Sequence, residues 1–168
     1  MTQRFLCGLT LSGLLATGPA FAADDDAFVE FRVLKPEVAL ELAQAAMAHC
    51  QEAGYQVGVS VVDRFGQPQV FIRDRYAGMH VFETSRRKAW TAVSFRTSTS
   101  ALDAATAPGE ISQGIRQLSE ALALGGGLMI EGGGTILGGV GVSGAPSPEL
   151  DEDCAEAGIA AVEVKIAF

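Results

Sequence analysis

Apolar positions along this chain follow two periods, and the switches between them mark out its elements. From Glu37 to Ala53 the period is helical. Val38, Leu42, Ala45, Ala46, Met47 and Cys50 cover one side of the wheel, and Glu37, Glu41, Gln44, Gln51 and Glu52 cover the other. Pro36 opens this helix and Gly54 closes it. The period then drops to two. Gln56 to Asp63 and Gln69 to Asp74 read as strands, joined into a hairpin by the turn residues Arg64 to Pro68. Met79 to Phe95 returns to a helical period, with Phe82, Ala89 and Val93 as its expected buried stripe. Leu128–Ile130 and Thr135–Val142 form a second hairpin about a glycine-rich turn at Glu131–Gly134. Pro148 to Ala161 is a last helix, with Ser147 as N-cap and four carboxylates (Glu149, Asp151, Glu152, Asp153) near its positive end.

Four stretches are less decided. Phe28 to Leu34 reads as a short strand or an extended lead-in, and Thr97 to Thr106, rich in Ser, Thr and Ala, fits neither period. Ile111 to Leu124 is weakly periodic and holds about one helical turn or more. Val162 to Phe168 either prolongs the last helix or adds a strand. The succession of helix, hairpin, helices, hairpin and helix is an α+β pattern. Its economical assembly is one antiparallel sheet, the two hairpins side by side, with helices over its faces. Gly138, Gly139 and Gly141 weaken the strand they interrupt, so Gly138–Gly144 implies close approach by a ligand, a helix or another chain.

Composition adds a destination and a charge map. Arg4, the apolar run Phe5–Ala16 and the small-x-small site Ala20–Phe21–Ala22 predict a secretory signal peptide over residues 1–22, cleaved after Ala22. Residues 23–168 then form a single domain, periplasmic or secreted, with no membrane span once the signal is removed. A lipoprotein anchor through Cys7 is set aside, because the residues around it do not resemble a lipobox. The chain of 168 residues carries a formal charge of −8, which disfavours nucleic acid as a partner. Seven basic residues nevertheless stand against three acids between Asp63 and Arg96, a basic window suited to a small anionic ligand. Cys50 and Cys154 either pair, closing a loop of roughly 100 residues, or are two small buried hydrophobes. Their spacing fits no metal motif.

Within the basic window, His80, Thr84, Arg87 and Thr91 share one helical face, with Lys88 adjacent. One imidazole, two hydroxyls and two cations in that arrangement suit an anionic ligand, with Arg87 and Lys88 meeting carboxylates and His80 as metal ligand or acid–base. His49 falls on the apolar side of the first helix, beside Val38 and Leu42. It reads as a structural histidine at the core boundary or as an axial iron ligand. Two histidines exclude a three-histidine zinc site. The segment GVSG lacks the frame of a serine nucleophile elbow, and the glycine run is no dinucleotide fingerprint.

The segments AMAHCQEAG and VGVSVVDRFG, the basic helix RKAWTA, and GGGLMI…ILGGVGVSGA…DEDCAEAGIAA together resemble the GlcG/HbpS-like haem-binding family, which includes the C-terminal domain of PduO-type proteins. The resemblance runs from the first helix almost to the C-terminus. It implies a three-layer α/β/α sandwich around a central antiparallel sheet, of profilin-like architecture, commonly assembled as a homo-oligomer. It also implies haem as the cofactor. The chain departs from the family where a D-G-A-like turn is usual, having Asp74–Arg75–Tyr76–Ala77–Gly78–Met79–His80 instead, and where Met129 replaces a frequent proline.

The expected function is therefore an exported protein that binds haem or a similar planar anion, for sequestration, sensing or redox protection. Arg87, Lys88 and Arg73 would meet the propionates, and His80 the iron. One alternative is an enzyme on a small carboxylated or carbonyl metabolite, with His80 as acid–base and Arg87 as clamp. Another is a non-catalytic accessory subunit that binds a protein partner.

Overall fold

The computed structural model describes residues 27–167, so the expected signal peptide at residues 1–22 lies outside the described residues. The chain divides at Phe31/Arg32 into a leading unit and a main unit, and the four α-helices and the four strands all belong to the main unit. Residues 28–35 have no regular secondary structure, which settles the lead-in as irregular.

Helix α1 spans Pro36–Glu52, with proline at its first turn and Gly54 beyond its end at φ 84°. Strands β1 (Gly58–Asp63) and β2 (Pro68–Arg73) form the first hairpin, and helix α2 spans Val81–Phe95. The undecided Thr97–Thr106 stretch contains a short helix, α3 (Thr99–Ala105), whose cap Ser98 accepts from the Ala101 N–H at 3.1 Å. Ile111–Leu124 contains only a 3-10 turn at Gln113–Gln117. Strands β3 (Gly127–Gly132) and β4 (Thr135–Ser143) form the second hairpin. Its turn is tighter than the sequence predicts. Only Gly133 and Gly134 lie between the strands, both at positive φ, as a two-residue I′ connection demands. Helix α4 (Pro148–Ile166) begins at the expected Ser147 cap and absorbs the undecided C-terminal stretch to Ile166.

The sheet order is β2-β1-β4-β3, antiparallel throughout, so the two hairpins lie side by side with β1 beside β4. The result is the expected α/β/α sandwich. Alternation along β1 and β4 sends Val59, Val61, Val140 and Val142 into a layer with Leu42, Ala46, Ala155 and Val162 of α1 and α4. The disulfide Cys50–Cys154 joins those two helices inside this layer. The opposite residues, Gly58, Ser60, Val62, Gly139 and Gly141, face α2.

That second face corrects one residue of the expected buried stripe of α2. Phe82, assigned to the buried stripe, is 50% exposed and packs edge-on to Phe71 at 4.7 Å between ring centroids. Ala89 and Val93 of the expected stripe are buried, together with Val81, Ser85, Lys88, Thr91 and Ala92. The cause lies in β4. A Cβ at Gly141 would stand 2.0 Å from the Ser85 carbonyl oxygen, and one at Gly139 would stand 2.7 Å from that of Ala89. The helix backbone rests directly on glycine, which leaves no room for a phenyl ring in that seam. Close approach in this segment is therefore made by a helix, at Gly139 and Gly141.

Candidate functional site

A cavity of about 620 Å³ opens where the N-terminal half of α2 meets the end of β4. Its walls come from Gly54–Gln56 after α1, Tyr76, Gly78 and His80 on the turn into α2, Leu124, and the Ser143–Pro148 link into α4. Thr84, Lys88 and Asp151 complete it.

The turn is tethered twice by its own backbone. The Ala77 N–H donates to the Asp74 carbonyl at 3.2 Å, and the Val81 N–H to that of Gly78 at 3.3 Å. Asp74 is held in addition by Gln51, whose amide donates to it at 2.7 Å. Ala77 plugs this turn into the protein, while Tyr76, Met79 and His80 stay exposed. His80 occupies the N-cap position of α2 and makes no side-chain capping bond. Its imidazole lies back against Gly78. A Cβ there would meet His80 Cε1 at 2.5 Å and Nδ1 at 2.8 Å. Glycine at 78 is thus what lets the ring settle against the backbone. One turn further on, Thr84 Oγ1 lies 3.0 Å from the His80 carbonyl oxygen and 2.7 Å from Ser143 Oγ.

Lys88 and Asp151 form the floor. The lysine Nζ donates to Asp151 Oδ2 at 2.7 Å and to the Val142 carbonyl at 2.9 Å, and Asp151 Oδ1 accepts from the Ala145 N–H at 2.9 Å. The two side chains are 1% and 6% exposed. Burial pushes the Lys88 ammonium below its ordinary range, offset in part by Asp151; burial likewise pushes the Asp151 carboxyl up, offset in part by Lys88. The pair fixes three backbone positions, Val142, Ala145 and the start of α4, and so holds the cavity wall in place.

Of the residues singled out in the sequence, His80, Thr84 and Lys88 line this cavity; Arg87, Arg73 and His49 do not. Arg87 reaches Glu83 at 3.6 Å and donates to the carbonyls of Glu120 and Ala121 at 3.3 and 2.7 Å. With Arg86, which pairs with Glu120 at 2.8 Å, it straps the 113–124 segment onto α2. Thr91 serves the same strap, because its hydroxyl accepts from the Leu122 N–H at 2.9 Å while fully buried. Arg73 is exposed at the end of β2. His49 is exposed near the end of α1 and not among the apolar residues of that helix, because the buried stripe runs through the smaller Ala39, Ala43 and Ala46.

Sequence reasoning missed Asp151, Ser143 and Tyr76. Asp151 looked like a dipole complement in a helix's first turn, and its partner lies 63 residues away, beyond any local pattern. Donors of the kinds that bind iron are present in His80 and in the phenols of Tyr55 and Tyr76. Among the described residues no group of three His, Cys, Asp or Glu gathers to hold a bare metal ion.

A family model described as "Haem degrading protein HbpS-like" matches residues 34–160. Corrinoid adenosyltransferase PduO of Citrobacter freundii is 36% identical over 127 residues, which cover 74% of this chain and 38% of that protein. The chain thus spans under two-fifths of the length of the curated relatives it matches. A crystal structure of a double mutant of HbpS from Streptomyces reticuli superposes with a TM-score of 0.76 at 35% identity, covering 86% of this chain and 97% of the other. A PduOC–haem complex superposes with a TM-score of 0.74 at 33% identity, covering 81% and 99%.

Proposed function

The chain belongs to the HbpS-like family, and we propose on that footing that it is an exported haem-binding protein acting in haem sequestration, sensing or redox protection. The observation that carries the reading is the His80 imidazole, seated against Gly78 on the wall of a cavity of about 620 Å³. The chain shares its fold with a protein crystallised with haem. The lining suits a flat, mostly apolar ligand with polar edges: Leu124, Pro146, Pro148 and the rings of Tyr55 and Tyr76 surround a few hydroxyls and one imidazole. Haem bound there would supply a redox-active iron, with His80 as the nitrogen donor.

Arg87 and Lys88 both have partners within the chain, so the propionates need another cation. Arg75, whose guanidinium stands 6.0 Å from the Tyr76 ring, offers one beside the cavity mouth. A buried disulfide accords with an oxidising compartment, which supports export. Assembly as a homo-oligomer belongs to the same proposal, with size-exclusion chromatography as its check.

The test is a haemin titration of the protein from residue 23 onward. The expected result is a saturable Soret shift that is lost in His80→Ala and retained in His49→Ala. The reverse pattern would move the iron to His49 and away from this cavity.

A further inference from the structure

Helix α2 passes a second cavity near its C-terminal end. Beside the β1–β2 turn, Arg64, Phe65, Gly66, Trp90, Val93 and Ser94 enclose about 220 Å³, and none of them lines the cavity of His80. The turn is tightly tied. Asp63 Oδ1 accepts from the Phe65 and Gln67 N–H groups at 2.8 and 2.9 Å, and the Gly66 N–H donates to the Asp63 carbonyl at 2.9 Å. Gly66 is thereby held at φ 77°, flush against the indole. A Cβ there would stand 2.5 Å from Trp90 Cδ1 and 2.8 Å from Nε1, so the methyl that glycine lacks is what keeps space open beside the indole N–H. Among the described residues that N–H has no hydrogen-bond partner, although a tryptophan packed into a protein usually finds one. Arg64 reaches the same wall, where its Nη1 donates to Thr135 Oγ1 at 3.3 Å. Its guanidinium is the one charged group of the lining.

We propose that this cavity binds a small aromatic carboxylate, independently of any haem in the larger one. The carboxylate meets the Arg64 guanidinium, with the Trp90 N–H and the Ser94 hydroxyl as further donors, and the ring rests among Phe65, Trp90 and Val93. Size narrows the class. The volume of about 220 Å³ is below the roughly 300–1,000 Å³ of sites for drug-sized ligands and above the roughly 150 Å³ that encloses benzene, which leaves room for one ring with a small substituent. Charge narrows it further, because a cation and two neutral donors stand in a lining without a carboxylate. An inorganic anion would use those donors and gain nothing from two aromatic rings and a valine.

Trp90 is the chain's single tryptophan, so its emission reports on this cavity. The experiment titrates the protein from residue 23 onward with benzoate, benzamide and acetate while following that emission. Benzoate is expected to give a saturable change, benzamide one about tenfold or more weaker for want of the charge, and acetate none. Arg64→Met should weaken benzoate about tenfold and leave benzamide unaltered, a coupling between ligand charge and guanidinium that a merely structural arginine would not show. Ser94→Phe, at an exposed position on the rim, fills the cavity and should abolish the response with thermal melting unchanged. Trp90→Phe, followed by ligand-observed NMR, should bind benzoate several-fold weaker, since the ring stays and the N–H goes. No saturable change with benzoate in the wild type would overturn the site. An equal response to benzoate and benzamide, or to benzoate and acetate, would overturn the chemistry assigned to it, and this holds even if Arg64→Met fails to fold. A benzoate response that survives Ser94→Phe and disappears in His80→Ala would place the acid in the larger cavity and overturn the proposal.

Discussion

On the α1/α4 side of the sheet, Val59, Val61, Val140 and Val142 project into a layer filled by Leu42, Ala46, Ala155 and Val162, every one of them fully buried. On the other side the same two strands present Ser60, Gly139, Gly141 and Ser143 to α2. There the buried apolar cluster shrinks to Val62, Ala89 and Val93. The first face is held by volume: apolar area leaves water, and side chains fill the gap between sheet and helices. The second is held by contact between backbones and by paired polar groups, Lys88 with Asp151 and Ser60 with Ser85. A face packed only with valine and leucine has no polar atoms to offer a ligand. A face that seats its helix on glycine and satisfies its polar groups locally can leave His80, Thr84 and Ser143 at the rim of a cavity. The two faces divide the labour between stability and chemistry.

Helix α4 clamps both. Cys154 ties it to α1, and Asp151, one turn earlier, ties it to Lys88 of α2. Breaking the ionic clamp should have the largest effect. Asp151→Ala strands a buried ammonium, and the expected loss is about 3–5 kcal/mol by chemical denaturation. The sharper comparison is Lys88→Met with Asp151→Leu. If the pair serves only to hold the fold, the double variant should recover most of that loss, since an apolar replacement spares the desolvation of both charges. Any haem-binding defect that persists in a stable double variant would then report on the Ser143–Pro148 wall. The covalent clamp comes next. Cys50→Ala with Cys154→Ala opens a loop closed across a sequence separation of 104 and should cost about 2–4 kcal/mol. That loss should leave the cavity's spectroscopic behaviour intact, because the bond lies on the opposite face.

The next prediction tests the glycine seam itself. Gly141→Ala places a methyl 2.0 Å from the Ser85 carbonyl oxygen and 2.7 Å from the Ala89 nitrogen, both backbone atoms of α2 that cannot rotate aside. A loss of about 1–3 kcal/mol is expected, with a weaker response to haemin as α2 is pushed off the sheet. The matching change on the other face, Val140→Ala, should lower stability without touching binding.

The two faces also differ in how legible they were. Periodicity found α1, both hairpins and α4, because on the volume-packed face large apolar residues mark the interior and recur at the strand and helix periods. It placed Phe82 in the interior of α2 for the same reason. Phe82 carried the largest apolar signal, whereas the helix buries Ser85, Lys88 and Thr91 beside the expected Ala89 and Val93, and those polar residues give no apolar signal. Glycines within β4 did announce a close approach, yet nothing local says whether a ligand or a helix makes it. His80 and Thr84 were found because the polar positions of one helix face are a local pattern. Asp151 and Ser143 were not, because they reach the cavity through the β4–α4 link, and only the fold joins that link to α2. Arg87 was given to a ligand because a cation on a helix face looks available. Its partners are Glu83, one turn back on the same helix, and backbone carbonyls of a strap with almost no secondary structure, and those carbonyls leave no trace in sequence.

The smallest expected effect discriminates most finely between the two kinds of packing. Ser60 Oγ and Ser85 Oγ lie 2.7 Å apart in the buried seam, and Ser85 Oγ also lies 3.3 Å from the Phe82 carbonyl oxygen. Ser60→Ala leaves the Ser85 hydroxyl with that carbonyl as its acceptor, so it should cost no more than about 1 kcal/mol. Ser85→Ala leaves Ser60 without its partner in a dry site and should cost more, about 1–3 kcal/mol. Replacing both removes the whole hydrogen bond at little change in volume and should return most of the difference. If the seam were held by volume as the valine face is, the two single variants would be alike and the double would equal their sum. A strongly non-additive cycle, measured by denaturant unfolding, is the signature of a face held together by polar pairing across glycine-spaced backbones.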